Sequence, residues 1–239
     1  MPEPFLSIVV PAYNEAGRIR DTLERLCHFK ELEPYSIELM VVDDGSTDQT
    51  VETVSAFPGV RLIRNDRNHG KGFTVRHGVL EARGEFVLFT DADLSTPIEE
   101  VDKLLPALQS SGADAAVGSR ALQRELIGIH QPWLREMAGR FFNLLVRVFT
   151  GLRLHDTQCG FKLFKRSSTR QAFERMRVER FGFDPELLFL IERGGGRVVE
   201  VPVRWNDSPA TKVRFLRDAT RMFLDLIAIR WRSLMGEYQ

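Results

Sequence analysis

Two carboxylates one residue apart, Asp91 and Asp93, close the apolar run Phe86-Val87-Leu88-Phe89-Thr90. Hard oxygen ligands at that spacing suit a divalent cation that also touches phosphate oxygens. In an extended segment the two would point to opposite faces, so both reach one ion only if the chain turns at the small residue Ala92. An isolated Asp-x-Asp is more often a loop or a helix cap, and the chemistry therefore rests on the surroundings. A second acidic pair, Asp43-Asp44, follows the apolar stretch Ile37 to Val42, and the stretch Phe5 to Val10 runs into Pro11-Ala12-Tyr13-Asn14-Glu15. Three polar clusters thus follow three apolar runs.

The elements that must position these clusters are legible from hydrophobic period. Phe5 to Val10, Ile37 to Val42, Val60 to Ile63, Phe86 to Thr90 and Asp114 to Gly118 read as strands, most of them buried on both faces, with Pro11 ending the first. Helical spacing follows each of the first four: Ile19, Leu23, Leu26 and Cys27; Val51 and Val54, capped by Thr47 or Asp48; Val75, Val79 and Ala82; Val101, Leu104, Leu105 and Leu108. This alternation predicts an α/β fold, a doubly wound and mostly parallel sheet with helices on both faces. In such a sheet, ligands bind at the carboxyl ends of the strands beside the switch point. The acids sit there.

After residue 118 the alternation breaks. A helix over Pro132 to Phe149, rich in aromatic residues, is expected to bury a broad face. His155 to Lys162 reads as a polar turn into a strand, and Val198 to Val203 as an edge strand because of Pro202. The expected organisation is one domain over 1–206, with halves 1–118 and 119–206, followed by an amphipathic helical segment over 207–239. Neither Gly-x-Gly-x-x-Gly after the first strand nor a P-loop is present, which argues against dinucleotide redox chemistry and P-loop NTPases.

Net charge is zero, yet residues 1–118 carry 11 Lys/Arg against 20 Asp/Glu and residues 119–239 carry 22 against 13. The second half is therefore suited to an anionic partner. Two cysteines, Cys27 and Cys159, make neither a disulfide framework nor a zinc site and fit a reducing compartment. No secretory leader and no membrane-spanning run is expected, pointing to a cytoplasmic protein.

The motifs Val10-Pro11-Ala12-Tyr13-Asn14-Glu15, Val42-Asp43-Asp44-Gly45-Ser46 and Asp91-Ala92-Asp93 resemble the nucleotide-sugar half of family 2 glycosyltransferases with the GT-A fold. Arg67-Asn68-His69-Gly70-Lys71-Gly72, Gly118-Ser119-Arg120 and Gln158-Cys159-Gly160-Phe161-Lys162 resemble the polyprenyl-phosphate branch, the dolichyl-phosphate β-glucosyltransferases most closely. The resemblance covers roughly residues 5 to 206; the eukaryotic members carry an N-terminal membrane span, and no such span is expected from this sequence. It implies transfer of a hexose, glucose first, from a nucleoside-diphosphate sugar such as UDP-glucose to a dolichyl or undecaprenyl phosphate, with no nucleic acid involved. It also implies that Pro11, Ala12, Tyr13, Glu15, Asp43 or Asp44 and Lys71 line the donor site. Asp91, Ala92 and Asp93 would then face the diphosphate, with Asp93 the stronger metal ligand, Asp91 the second and Ser95 nearby.

The chemistry agrees with that implication. Charge grows on a nucleoside-diphosphate leaving group as the glycosidic bond breaks, and Mg²⁺ or Mn²⁺ on Asp91 and Asp93 would neutralise it. A lipid monophosphate has a second pKa of about 6 and attacks without a general base, so it needs a cationic cradle instead. Arg120, Arg140 and Lys162 are the candidates, within a segment, 119–177, that has 12 Lys/Arg against 4 Asp/Glu. Rival expectations are a hydroxyl acceptor with Asp156 as base, mannosyl transfer from GDP-mannose, and a nucleotide-binding scaffold. Arg214, Arg217 and Arg221, with Arg230 and Trp231, are expected to hold the C-terminal helix on the cytoplasmic leaflet, the Trp133 to Phe149 segment forming the lipid's entry path.

Overall fold

The computed structural model describes residues 3–129, 133–207 and 215–238, apart from the side chains of residues 134, 135, 215 and 216. The first four apolar runs become β1 (Leu6–Ala12), β2 (Ile37–Asp43), β3 (Val60–Arg64) and β4 (Phe86–Thr90), joined by α1 (Ile19–Leu32), α2 (Thr50–Ser55) and α3 (Lys71–Glu81). β1 lies between β2 and β4 and pairs with both in parallel, Val9 sitting opposite Met40 and Phe89. The direction of winding reverses at β1, which opens a crevice at the carboxyl ends of β1 and β4. β1 does not stop at Pro11 but runs on to Ala12, with Pro11 opposite Val42. Its pairing with β4 ends at Val9, so beyond that point one side of β1 is an edge, where a missing N–H is tolerated.

The second half follows as α4 (Val101–Ser111), β5 (Ala115–Ser119), β6 (Ile127–Ile129), α5 (Trp133–Thr150), β7 (Phe161–Lys165), α6 (Arg166–Arg175), α7 (Phe183–Arg193), β8 (Val198–Pro202), β9 (Trp205–Asn206) and α8 (Phe215–Met235). β7 inserts antiparallel between β4 and β5, giving the order β3-β2-β1-β4-β7-β5-β8. The sheet is mostly parallel, and β8 is its terminal strand, as Pro202 requires. β6 and β9 pair separately.

Alternation along the strands supplies two cores. Val9, Val42, Phe89, Val117 and Phe164 face α3, α6 and α7, while Ile8, Val41, Leu88, Ala116 and Leu163 face α1 and α4. Each fully buried Leu, Ile, Val or Phe contributes roughly 1.5–3 kcal/mol of transfer free energy. The crevice is thus held by a rigid centre.

α5 departs from expectation. It buries Val146 and half-buries Phe142, Leu145 and Phe149, but Trp133, Met137, Phe141, Leu144 and Val148 are exposed. These five recur at spacings of three and four and form a stripe along one side. α8 packs on α5 and α7 through Leu226 and Ile229, and exposes Leu224, Ile227, Trp231, Leu234 and Met235. No described helix is long and apolar enough to cross a membrane.

Candidate active site

The two acids share one turn. Leu94 N–H donates to Asp91 O at 3.1 Å, and Leu94 adopts φ +44°, a left-handed conformation that costs a branched residue roughly 1 kcal/mol or more. Three contacts hold that turn in place. Asp91 N–H donates to Gly160 O at 3.1 Å, Thr22 of α1 donates through Oγ1 to Ala92 O at 2.6 Å, and Ser95 N–H donates to Asp93 Oδ1 at 3.0 Å. The strand end, the first helix and the loop before β7 therefore fix it jointly.

Both acids open onto a cavity of about 540 Å³ at the switch point, a volume that suits a small-molecule ligand. Pro11, Ala12, Tyr13, Glu15, Asp44, Lys71, Asp91, Ala92 and Asp93 all line it, so most of the expected donor residues converge. Lys71 Nζ lies 2.6 Å from Asp91 Oδ1, and Arg18 Nη1 lies 3.6 Å from Asp93 Oδ2. Burial alone would lower the Lys71 pKa, but Asp91 and then Asp184 outweigh it and raise it above the usual lysine value. The amine is a fixed cation at neutral pH.

Asp43 and Asp44 divide their work. Asp43 is fully buried and outside the cavity lining, with its carboxylate accepting Ser46 N–H at 3.2 Å. Asp44 lines the cavity and accepts from Asn65 Nδ2, His69 N–H and Gly70 N–H at 2.9, 3.1 and 2.8 Å. It ties the Asn65 to Gly70 loop, and hence the start of α3 and Lys71, to the end of β2. Ser95 is beside the turn but not in the lining. Arg18, Asn68, Gly70, Thr74, Arg180, Phe181, Arg217, Asp218 and Arg221 also line it. None of these is among the expected donor contacts: Arg18, Asn68, Gly70 and Thr74 flank the expected residues, Arg180 and Phe181 come from a loop about 90 residues after Asp91, and Arg217, Asp218 and Arg221 come from α8.

A second cavity, of about 220 Å³, is lined by Arg120, Arg124 and Arg140 together with Glu136, Asn143, His155, Asp156, Gln158 and Trp205. Arg120 Nε and Nη2 donate to Asp156 Oδ2 and Oδ1 at 2.6 and 2.9 Å, and the guanidinium lies 5.4 Å from the Trp205 ring centroid. Such a chelated, ring-stacked guanidinium is held in one orientation. Glu200 supports it from behind, accepting Asp156 N–H at 2.7 Å, His155 N–H at 2.9 Å and Ser119 Oγ–H at 2.7 Å. Burial pushes the Asp156 carboxyl up, but the Arg120 guanidinium more than offsets this and leaves it below the usual carboxylate range. With both oxygens occupied and a depressed pKa, Asp156 is a poor general base.

Arg140 is exposed at the rim and pairs with Glu136 at 3.0 Å, one turn back on α5. Lys162 does not join this group. Its side chain is wholly buried, with Nζ donating to Asp184 Oδ1 at 2.6 Å and to Cys159 O at 2.5 Å, and it lines neither cavity. A lysine alternating into the sheet interior must find a carboxylate there, so Lys162 serves the fold beneath the site. Cys159 is buried too; burial pushes its thiol up to about 11, which removes it as a nucleophile.

A mixed sheet whose switch-point cavity is lined by acids from two strand ends places this chain in the GT-A class of glycosyltransferase folds. Solved structures bear out the fold: glucosyl-3-phosphoglycerate synthase from Mycobacterium tuberculosis, crystallised with Mn²⁺, UDP and glucosyl-3-phosphoglycerate, superposes with a TM-score of 0.69 at 21% identity, over 98% of this chain and 80% of that one. The family model for glycosyl transferase family 2 matches residues 7–173, and the chain belongs to that family. It is a glycosyltransferase. Its relatives include the dolichyl-phosphate beta-glucosyltransferases of Trichomonas vaginalis (37% identical, over 95% of this chain and 71% of that protein), Saccharomyces cerevisiae (35%, 99% and 77%) and Homo sapiens (33%, 100% and 78%).

Proposed function

We propose that this glycosyltransferase moves glucose from UDP-glucose to a polyprenyl phosphate at the cytoplasmic face of a membrane, inverting the anomeric carbon. The observation that carries the acceptor half is the Arg120–Asp156 chelate in a cavity that also holds Arg124 and Arg140. It offers a fixed cation, and Arg120 engages both oxygens of its Asp156 carboxylate, which suits a phosphate dianion that attacks without deprotonation. A hydroxyl acceptor would need the base that Asp156 cannot supply while Arg120 holds both of its oxygens. The names of the relatives favour glucose over mannose and a lipid phosphate over a polysaccharide.

At the donor end, Pro11, Tyr13 and Asp44 offer a wall for base and ribose, and Asp91 and Asp93 face the diphosphate. Both acids are hard oxygen donors on one turn, partly open to the cavity, and Lys71 on Asp91 already places positive charge there. They fit Mg²⁺ or Mn²⁺, which is commonly held by one or two carboxylates plus substrate phosphates. Among the described residues no third His, Cys, Asp or Glu completes a protein-only cluster, and that mode of binding needs none. Ser95 is the nearest hydroxyl to Asp93 along the turn. When bound, such a cation would neutralise charge gathering on the leaving diphosphate. Lys71 and the α3 amino end hold the phosphates in line; Arg120 aims the acceptor oxygen at the opposite face of the sugar.

The membrane contact we infer is apolar rather than basic. Arg217 and Arg221 line the donor cavity, and Arg214 lies outside the described residues. The exposed stripes of α5 and α8, two helices packed together with Phe149 edge-on to Phe223 at 5.9 Å, are an apolar surface of the kind that enters a bilayer interface. Glu136, Arg140 and Asn143 of the acceptor cavity lie one residue round α5 from Met137, Phe141 and Leu144. A phosphate in the cavity can therefore keep its isoprenoid tail along the stripe.

Radiolabelled UDP-glucose and GDP-mannose, each presented with polyprenyl phosphate in vesicles, test the proposal. Glucose should appear on the lipid; transfer to neither lipid phosphate nor vesicle would end it. Arg120→Ala should raise the KM for the lipid at least about tenfold while changing UDP affinity less than about twofold, since a charged hydrogen bond is worth ~1.5–3 kcal/mol. An equal loss of UDP affinity would put Arg120 on the donor. Phe141→Ser with Trp231→Ser should largely abolish co-sedimentation with vesicles and leave UDP binding intact; unchanged sedimentation would remove this surface as the anchor.

A further inference from the structure

We propose that α8 delivers Arg217 and Arg221 to the diphosphate of the bound donor, so that the C-terminal helix forms part of the nucleotide site. The inference rests on the reading of the larger cavity as a nucleoside-diphosphate site. Arg217 and Arg221 are one turn apart, about 6 Å along the helix, and both line that cavity with Lys71 and Asp91. Arg180, whose Cγ lies against Gly70 immediately before Lys71, and Arg221 are both neighbours of Asp225 on α8.

The helix is placed there by specific contacts spread along its length. The Asp225 carboxylate sits against Gly182, where a Cβ would come within 2.4 Å of Oδ2. Farther along, Arg193 Nη1 donates to Ser233 Oγ at 2.5 Å, and Tyr238 Oη–H donates to the buried Glu186 Oε1 at 2.5 Å. Glu186 Oε2 in turn accepts Arg177 N–H and Val178 N–H at 2.9 and 2.7 Å, and Glu179 O accepts Phe73 N–H at 3.0 Å. One buried carboxylate thus ties the end of α8 to the loop that carries Arg180 and packs on α3.

The chemistry asks for these cations. The diphosphate must lie beside Asp91 and Asp93, and even with a divalent ion shared between them it presents further anionic oxygens. Lys71 shares its charge between the phosphates and Asp91. Guanidinium groups one helical turn apart match neighbouring phosphate oxygens and donate in pairs. Their contribution does not depend on the metal.

Calorimetric titration of the full chain with UDP, UMP and uridine, in Mn²⁺ and again in EDTA, tests this. Arg217→Gln and Arg221→Gln should each weaken UDP about tenfold and the double variant more, in both buffers, while uridine affinity stays within about twofold and the melting temperature is unchanged. UMP should fall between. If wild type binds UDP and the double variant binds it equally well, or if uridine is lost in the same proportion, the assignment is overturned. If wild type binds no UDP, the donor reading falls and takes this proposal with it.

Discussion

Asp93→Ala is expected to lower glucosyl transfer at least about 100-fold, a loss of ~2.7 kcal/mol or more of transition-state stabilisation, and to abolish the Mn²⁺-dependent thermal stabilisation by UDP. Asp93 has one oxygen held by Ser95 N–H and the other 3.6 Å from Arg18, so its position is set before any ligand arrives. The substitution removes an anionic oxygen where a cation must meet the diphosphate. It removes little else: the Arg18 pair is long and partly exposed, a kind worth under about 1 kcal/mol. Asp93→Asn separates the two roles, since it can still accept from Ser95 but carries no charge, and it should be nearly as inactive as the alanine variant. A folded Asp93→Ala protein that retains more than about a tenth of the wild-type rate removes Asp93 as a metal ligand.

Gly160→Ala is expected to be nearly as damaging, although the residue carries no functional group. A Cβ there would lie 1.9 Å from Asp91 Oδ2 and 2.4 Å from its Cγ. Asp91 N–H is bonded to Gly160 O, so the two backbones cannot simply part, and the carboxylate must leave its observed place beside Lys71. Gly160 does not adopt a positive φ, so crowding and not backbone strain is the cause. Activity should fall about 100-fold, while overpacking at this one contact costs roughly 1–3 kcal/mol of stability. Gly17→Ala is the control: it is close in sequence to Glu15 and Arg18 of the same cavity, but a Cβ there meets nothing within 4 Å. It should behave as wild type, and equal activity of both variants would mean that Asp91 need not occupy its observed place.

The sequence by itself determined the sheet's first four strands and the convergence of the Pro11, Asp44 and Asp91 clusters, because both follow from local rules. Apolar runs that alternate with helical spacing form the strands of a mostly parallel sheet, and in a right-handed α/β winding their carboxyl ends meet at one crevice. Where those rules end, tertiary structure decided. Lys162 and Arg120 are both basic residues in one charged segment, but β7 turns Lys162 inward onto Asp184 while Arg120, past the end of β5, is pinned by Asp156 and opens onto a cavity. Asp43 and Asp44 are adjacent and chemically alike; the pleat buries one against Ser46 and points the other into the crevice. The amphipathic spacing of α5 and α8 showed that each has two faces but not which partner each face meets. Arg217 and Arg221 reach the donor cavity only because contacts to Gly182, Arg193 and Glu186, between 40 and 52 residues upstream of Asp225, Ser233 and Tyr238, dock the helix there. Periodicity is a property of a segment, whereas docking is set by long-range contacts that no local pattern encodes.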